Sequence, residues 1–91
     1  VTTITLIGKD GCHLCDVAAG VIEHVIAELP EATADRIDVV EASIETDPTL
    51  YDAWWEKIPV ILIDGQLHAH WRVAPERLRD ALLDAAKKVE A

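Results

Sequence analysis

The sequence has two cysteines, eight basic residues and no long apolar run, and each shortage excludes a class of protein. Two cysteines do not make a disulfide scaffold. At positions 12 and 15 they are also too close together to clamp distant segments of chain. Seventeen acids against eight bases give a formal net charge of −9, with no basic stripe. Phosphate-rich surfaces reward clustered Lys and Arg, so neither nucleic acid nor a membrane surface is expected as a partner. No apolar stretch approaches the roughly 18 residues of a membrane-crossing helix. The opening Val1-Thr2-Thr3 has neither the basic stretch nor the apolar block of a signal peptide, and a cytoplasmic location is expected. Repeats, low-complexity tracts and linker-like segments are missing too, so the chain reads as one domain over residues 1–91.

Aliphatic residues are plentiful. Val, Ile and Leu number 27, Ala adds 13, and the hydrophobic total is 51%, which excludes disorder. The charge is unevenly spread: Glu28 to Glu56 holds nine acids and one base, Arg36. That stretch reads as a solvated face, or as a steering surface for a basic protein partner.

Thr2 to Ile7, closed by Gly8, has the β-branched and aliphatic content of a buried strand. After the Gly8–Gly11 loop, apolar residues recur with helical spacing at Leu14, Ala18, Val21, Ile22, Val25, Ile26 and Leu29, and Pro30 marks the end. Arg36 to Glu41 suggests a second strand. Asp47-Pro48 reads as an N-cap and first helical residue, opening a short helix through Tyr51 and Trp54. Val60 to Ile63, the turn signal Asp64-Gly65 and Leu67 to Trp71 make a hairpin. Pro75 opens a last helix with Leu78, Leu82, Ala85 and Val89 on one face and Lys87 among the residues outside it. The order β-α-β-α-β-β-α implies an α/β fold, with a four-stranded mixed sheet flanked by helices.

Cys12-His13-Leu14-Cys15 falls where the first loop enters the first helix. Unpaired amide N–H groups and the positive end of the helix dipole there favour thiolate over thiol at Cys12. Cys15, one turn on, can close a disulfide with it, so the pair can carry two electrons. Two other readings stay open: buried structural cysteines, or half of a zinc site. For the latter, His68 and His70 are the candidate extra ligands, and strand alternation would put both on one face. His13 beside Cys12 either stabilises its thiolate when protonated or points to solvent. His24 reads as surface, one of Trp54 and Trp55 as packed and the other as partly exposed, and Trp71 as a cap on the core.

Taken together, Cys12-His13-Leu14-Cys15 at a helix start, Ile58-Pro59-Val60 before the hairpin and this element order resemble the glutaredoxin branch of the thioredoxin-fold family. The likeness is to short bacterial glutaredoxin-like proteins and covers almost the whole chain. It implies a thioredoxin/glutaredoxin-like fold, a cis Pro59 facing the cysteines, and a substrate groove lined at Ile58, Pro59 and Val60. Lys9 matches a lysine that many glutaredoxins use for a glutathione carboxylate, and its charge would help hold a Cys12 thiolate. Where typical members have Pro-Tyr between the cysteines, this chain has His13-Leu14. In place of their Gly-Gly stretch ending on Asp, it has Ala69-His70-Trp71-Arg72-Val73. That departure weakens glutathione as reductant and leaves a reductase enzyme as the other electron donor.

The expectation is therefore a monomeric thiol-disulfide oxidoreductase with Cys12 as nucleophile and Cys15 as resolving thiol. Its substrate is a disulfide-containing protein, and it holds no bound cofactor and no metal. A metal or iron–sulfur carrier and a non-catalytic interaction module are the alternatives.

Overall fold

The computed structural model describes residues 2–90 of the chain, with side chains as far as residue 86. In chain order the elements are β1 (Thr2–Gly8), α1 (His13–Glu28), α2 (Glu31–Ala34), β2 (Ile37–Ser43), α3 (Pro48–Trp54), β3 (Val60–Ile63), β4 (Gln66–His70) and α4 (Pro75–Glu90). The strands form one sheet in the order β2-β1-β3-β4. β1 runs parallel to β2 and antiparallel to β3, and β3 pairs antiparallel with β4. This is the expected mixed α/β architecture. The short α2 is an addition, entered from Pro30 with Glu31 in its first turn.

Alternation along β1 divides the core in two. On one face Ile4 and Leu6, joined by Ile61, pack with Ala18, Ile22 and Val25 of α1 and with Leu78 and Leu82 of α4. On the other, Ile7, Ile44 and Val60 make a smaller cluster with Leu50 and Trp54 of α3 and with Ile58. Trp54 packs and Trp55 is exposed, as expected of the pair. Asp47 caps α3 by accepting from the Thr49 N–H at 2.9 Å and the Leu50 N–H at 3.4 Å. Asp64 and Gly65 turn the hairpin with φ of 51° and 81°, the left-handed pair that a two-residue turn of this hand requires. On α4, Leu78 and Leu82 are buried and Ala85 half-buried, while the Val89 and Lys87 side chains lie outside the described residues.

Several expectations are corrected. The buried stripe of α1 runs Cys15, Ala18, Ile22, Val25, and Leu14 is 44% exposed. Cys15 occupies the position in helical phase with Ala18 and Ile22, which turns Leu14 outward beside it. β2 extends two residues past Glu41, because its last residues pair with the end of β1. β4 stops at His70, and Trp71 is 55% exposed rather than a cap on the core. The register between β3 and β4 shifts at Ile61/Leu62, whose partners are Ala69 and Leu67. His68 is the extra residue of that bulge, and it breaks the alternation. His68 therefore lies toward α4, lining a hollow with Ala81, Asp84 and Ala85, whereas His70 stands opposite Val60. The two histidines do not share a face.

Candidate redox site

Cys12 is the N-cap of α1, in extended conformation with φ of −92° and ψ of 109°. Its Sγ accepts from the backbone N–H of Cys15 at 3.2 Å, the place usually taken by a Ser or Asp oxygen. A sulfur held there faces the amides of the first turn and the positive end of the α1 dipole. Cys12 is partly exposed and Cys15 is 7% exposed, so of the two cysteines Cys12 is the more open to solvent. The two sulfurs are bonded as a disulfide, across a Cα–Cα distance of 5.2 Å.

Gly8, the last residue of β1, makes room for this arrangement. A Cβ built on it would stand 2.8 Å from Cys15 Sγ and 3.1 Å from Cys15 Cβ. Hydrogen at that position lets the buried sulfur rest directly on the strand. The carbonyl of Gly8 in turn accepts from the Ile44 N–H at 3.0 Å, which ties the end of β1 to the segment leaving β2. From the sequence, Gly8 is expected only to end a strand. The signal of its closer role is a glycine where β1 gives way to the loop bearing the cysteines.

The third part of the site comes from the segment entering β3. Ile7 pairs with Val60, and one further step of that antiparallel register sets Pro59 opposite Gly8. The Ile58–Pro59 peptide is cis, as the resemblance implies. Pro59 and Val60 are buried and Ile58 is half-buried. Among the described residues, no hydrogen bond reaches the N–H or C=O of Ile58. Lys9 and His13 are both exposed, Lys9 in the loop before Cys12 and His13 as the first residue of α1. That loop is fixed to the far side of the site where the Asp10 N–H donates to Glu45 Oε1 at 2.8 Å. A hollow of about 540 Å³ opens beside Cys15, between α1 and the loop that leads into α3.

Around this centre the surface is aromatic. Tyr51 and Trp55 are about half-exposed and stack at 6.1 Å with planes 11° apart. Together with Lys9 they line a second open hollow of about 570 Å³. Their placement was not legible beforehand, although Tyr51 and Trp55 are one helical turn apart. Among the described residues no three His, Cys, Asp or Glu side chains gather as a metal-holding group, and no helix is long and apolar enough to cross a membrane.

A family model of the glutaredoxin-like domain matches residues 3–83. The chain belongs to the glutaredoxin-like domain family. It is 32% identical over 76 residues to uncharacterized proteins of Mycobacterium tuberculosis and Mycobacterium bovis, covering 84% of this chain and 77% of theirs. Among solved structures it is similar to a structural-genomics target protein from X. campestris, with TM-score 0.64, 30% identity, and coverage of 90% of this chain and 96% of that one. Oxidized mitochondrial thioredoxin 3 from Saccharomyces cerevisiae superposes with TM-score 0.62 at 15% identity, over 91% of this chain and 77% of that one. At that identity the likeness shows the fold alone, and the fold is that of thioredoxin. This glutaredoxin-like domain thus combines a thioredoxin fold with a close Cys-x-x-Cys pair, which supports redox function.

Proposed function

We propose that this glutaredoxin-like protein catalyses thiol-disulfide exchange on protein disulfides. The observation that carries the reading is the asymmetry of the pair: Cys12 is a partly exposed N-cap and Cys15 is buried against Gly8. The Cys12 thiolate attacks one sulfur of the substrate disulfide, and the other substrate sulfur leaves as a thiolate that takes up a proton. Cys15 then gives up its proton and attacks Cys12 Sγ, releasing the second substrate thiol. Two electrons pass to the substrate and the protein is left as the Cys12–Cys15 disulfide.

Lys9 supplies positive charge near Cys12 in this reading, with His13 beside it, and Ile58 offers an N–H and C=O that are unpaired among the described residues to the main chain of the substrate beside the reacting cysteine. Pro59 and Val60, both buried, hold that edge in place rather than present side chains to the substrate. A reductase or glutathione returns the electrons. A reducing cytoplasm is the compartment in which such a pair cycles.

The test is a pair of variants assayed with a protein disulfide and a dithiol as electron donor. Cys12→Ser is expected to abolish turnover. Cys15→Ser is expected to accumulate a mixed disulfide with substrate, visible by intact mass under non-reducing conditions. Wild-type turnover in Cys12→Ser would refute the assignment.

A further inference from the structure

One residue at the end of β4 is held in a conformation that its side chain disfavours. Trp71 has φ of 63°, in the left-handed region where a bulky residue is a genuine outlier. Such strain persists only where the surroundings impose it, and an outlier of this kind points to function. The Arg72 N–H donates to His70 O at 2.7 Å and closes a γ-turn on Trp71, and three further contacts tie the residue to the segment before β3. The Trp71 backbone N–H donates to Pro59 O at 2.9 Å and to Lys57 O at 3.3 Å. Its indole Nε1–H donates to Glu56 O at 2.8 Å.

Every acceptor of the Trp71 donors belongs to the segment that carries Ile58. Trp71 occupies the carbonyls of Glu56, Lys57 and Pro59, and the carbonyl of Ile58 between them has no partner among the described residues. The γ-turn at Trp71 accompanies this arrangement. It turns the chain at the end of β4 so that backbone and side chain both reach back to the same four residues. The indole is otherwise 55% exposed, so burial does not explain its being there.

We propose that Trp71 is a positioning residue, which fixes the main-chain edge at Ile58 so that a peptide substrate docks with its cysteine at Cys12. The inference rests on the exchange reading above. A substrate that offers no peptide backbone gains nothing from such an edge, so Trp71 acts on selectivity for protein over small disulfides.

The experiment compares kcat/KM for a cystine-linked peptide with that for bis(2-hydroxyethyl) disulfide, a disulfide without main chain, in wild type, Trp71→Phe and Trp71→Gly. Phenylalanine keeps a ring and removes the indole donor. Glycine adopts the left-handed φ freely, so it removes the side chain without threatening the fold. Loss of one hydrogen bond that sets the geometry is expected to lower the peptide-to-small-disulfide preference roughly fivefold in either variant, through KM for the peptide. A merely structural role would lower the melting temperature and act on both substrates alike. An unchanged preference in both variants overturns the proposal. Wild type that exchanges with neither disulfide removes the exchange reading itself, and this inference falls with it.

Discussion

Replacing Gly8 with Ala tests the geometry of the site with one methyl group. The new Cβ would lie 2.8 Å from Cys15 Sγ and 3.1 Å from Cys15 Cβ. Carbon contacts are most favourable at about 3.5–4.0 Å, so both distances are repulsive. Overpacking a tight site costs about 1–3 kcal/mol. The two contacts differ in how they can be relieved. The Cβ contact is present in either redox state, because Cβ moves only with the α1 backbone. Free Sγ can rotate away about the Cα–Cβ bond, but bonded to Cys12 it cannot.

Gly8→Ala therefore destabilises both forms and the disulfide form more. If the sulfur contact accounts for the bulk of that cost, the oxidised state loses about 1–3 kcal/mol relative to the reduced state. At 30 mV per 1.4 kcal/mol, the reduction potential rises by roughly 20–60 mV and the protein becomes a stronger oxidant. The assay is equilibration in graded glutathione buffers with thiol trapping and intact-mass readout, alongside thermal unfolding of oxidised and reduced protein. Gly20→Ala is the matched control. Gly20 is an exposed residue of α1 with open space where its Cβ would go, so Ala there should stabilise by about 0.5–1 kcal/mol. The packing argument is refuted if Gly8→Ala keeps the wild-type potential and melts at the wild-type temperature in both redox states.

Two further expectations concern the scaffold. Asp47→Ala removes the oxygen that caps α3 and should cost about 0.5–2 kcal/mol in thermal or urea unfolding, with Asp47→Asn retaining most of it; equal stability of wild type and the Ala variant would count against the cap. The pKa of His68 is pushed below its ordinary 6.5 by burial and, secondarily, by the Arg77 guanidinium. The folded protein then holds His68 neutral at a pH where the unfolded chain takes up a proton. Its contribution is complete above pH 6.5 and is lost as the pH falls from there through the lower folded value. Melting temperature should fall more steeply from pH 7 toward pH 5 in wild type than in His68→Gln, and parallel curves would refute the shift.

What the sequence made legible were features settled within a few residues. Asp64-Gly65 between two apolar runs favours the left-handed pair of a two-residue hairpin turn, Asp47-Pro48 caps its own helix, and the cysteines meet the first turn of α1 because the helix begins there. The β1-α1-β2 unit followed from the same kind of signal, a strand pattern giving way to helical spacing and back. What stayed hidden was decided by partners far along the chain. The bulge at His68 arises between two strands, and the periodicity of either strand alone does not contain it. The phase of α1 was read from Leu14, a larger and more apolar residue than Cys15, yet the helix buries the cysteine because Gly8 leaves a place for sulfur. Trp71 looked like a core residue by its size. It is held instead by carbonyls 12 to 15 positions earlier in the chain, at a turn that the Arg72 N–H closes on His70 O.

The site is a product of topology, because its parts are separated along the chain. A sheet that runs β2-β1-β3 brings the end of β1 and the start of β3 to the same edge, since β3 is antiparallel to β1. The loop from β1 must then cross that edge to begin α1, which delivers the N-terminus of a helix to the segment carrying Pro59. The Cys12 sulfur and a peptide edge left unpaired among the described residues are brought there by strand order. Local chemistry enters as the choice of occupants: cysteine where an N-cap usually carries oxygen, glycine where the second sulfur lands, and tryptophan where the β4 chain turns back. Of these three, the tryptophan is the one whose backbone conformation disfavours its own side chain. The scaffold supplies the meeting point, and in the proposed reading that strained residue sets what docks at it.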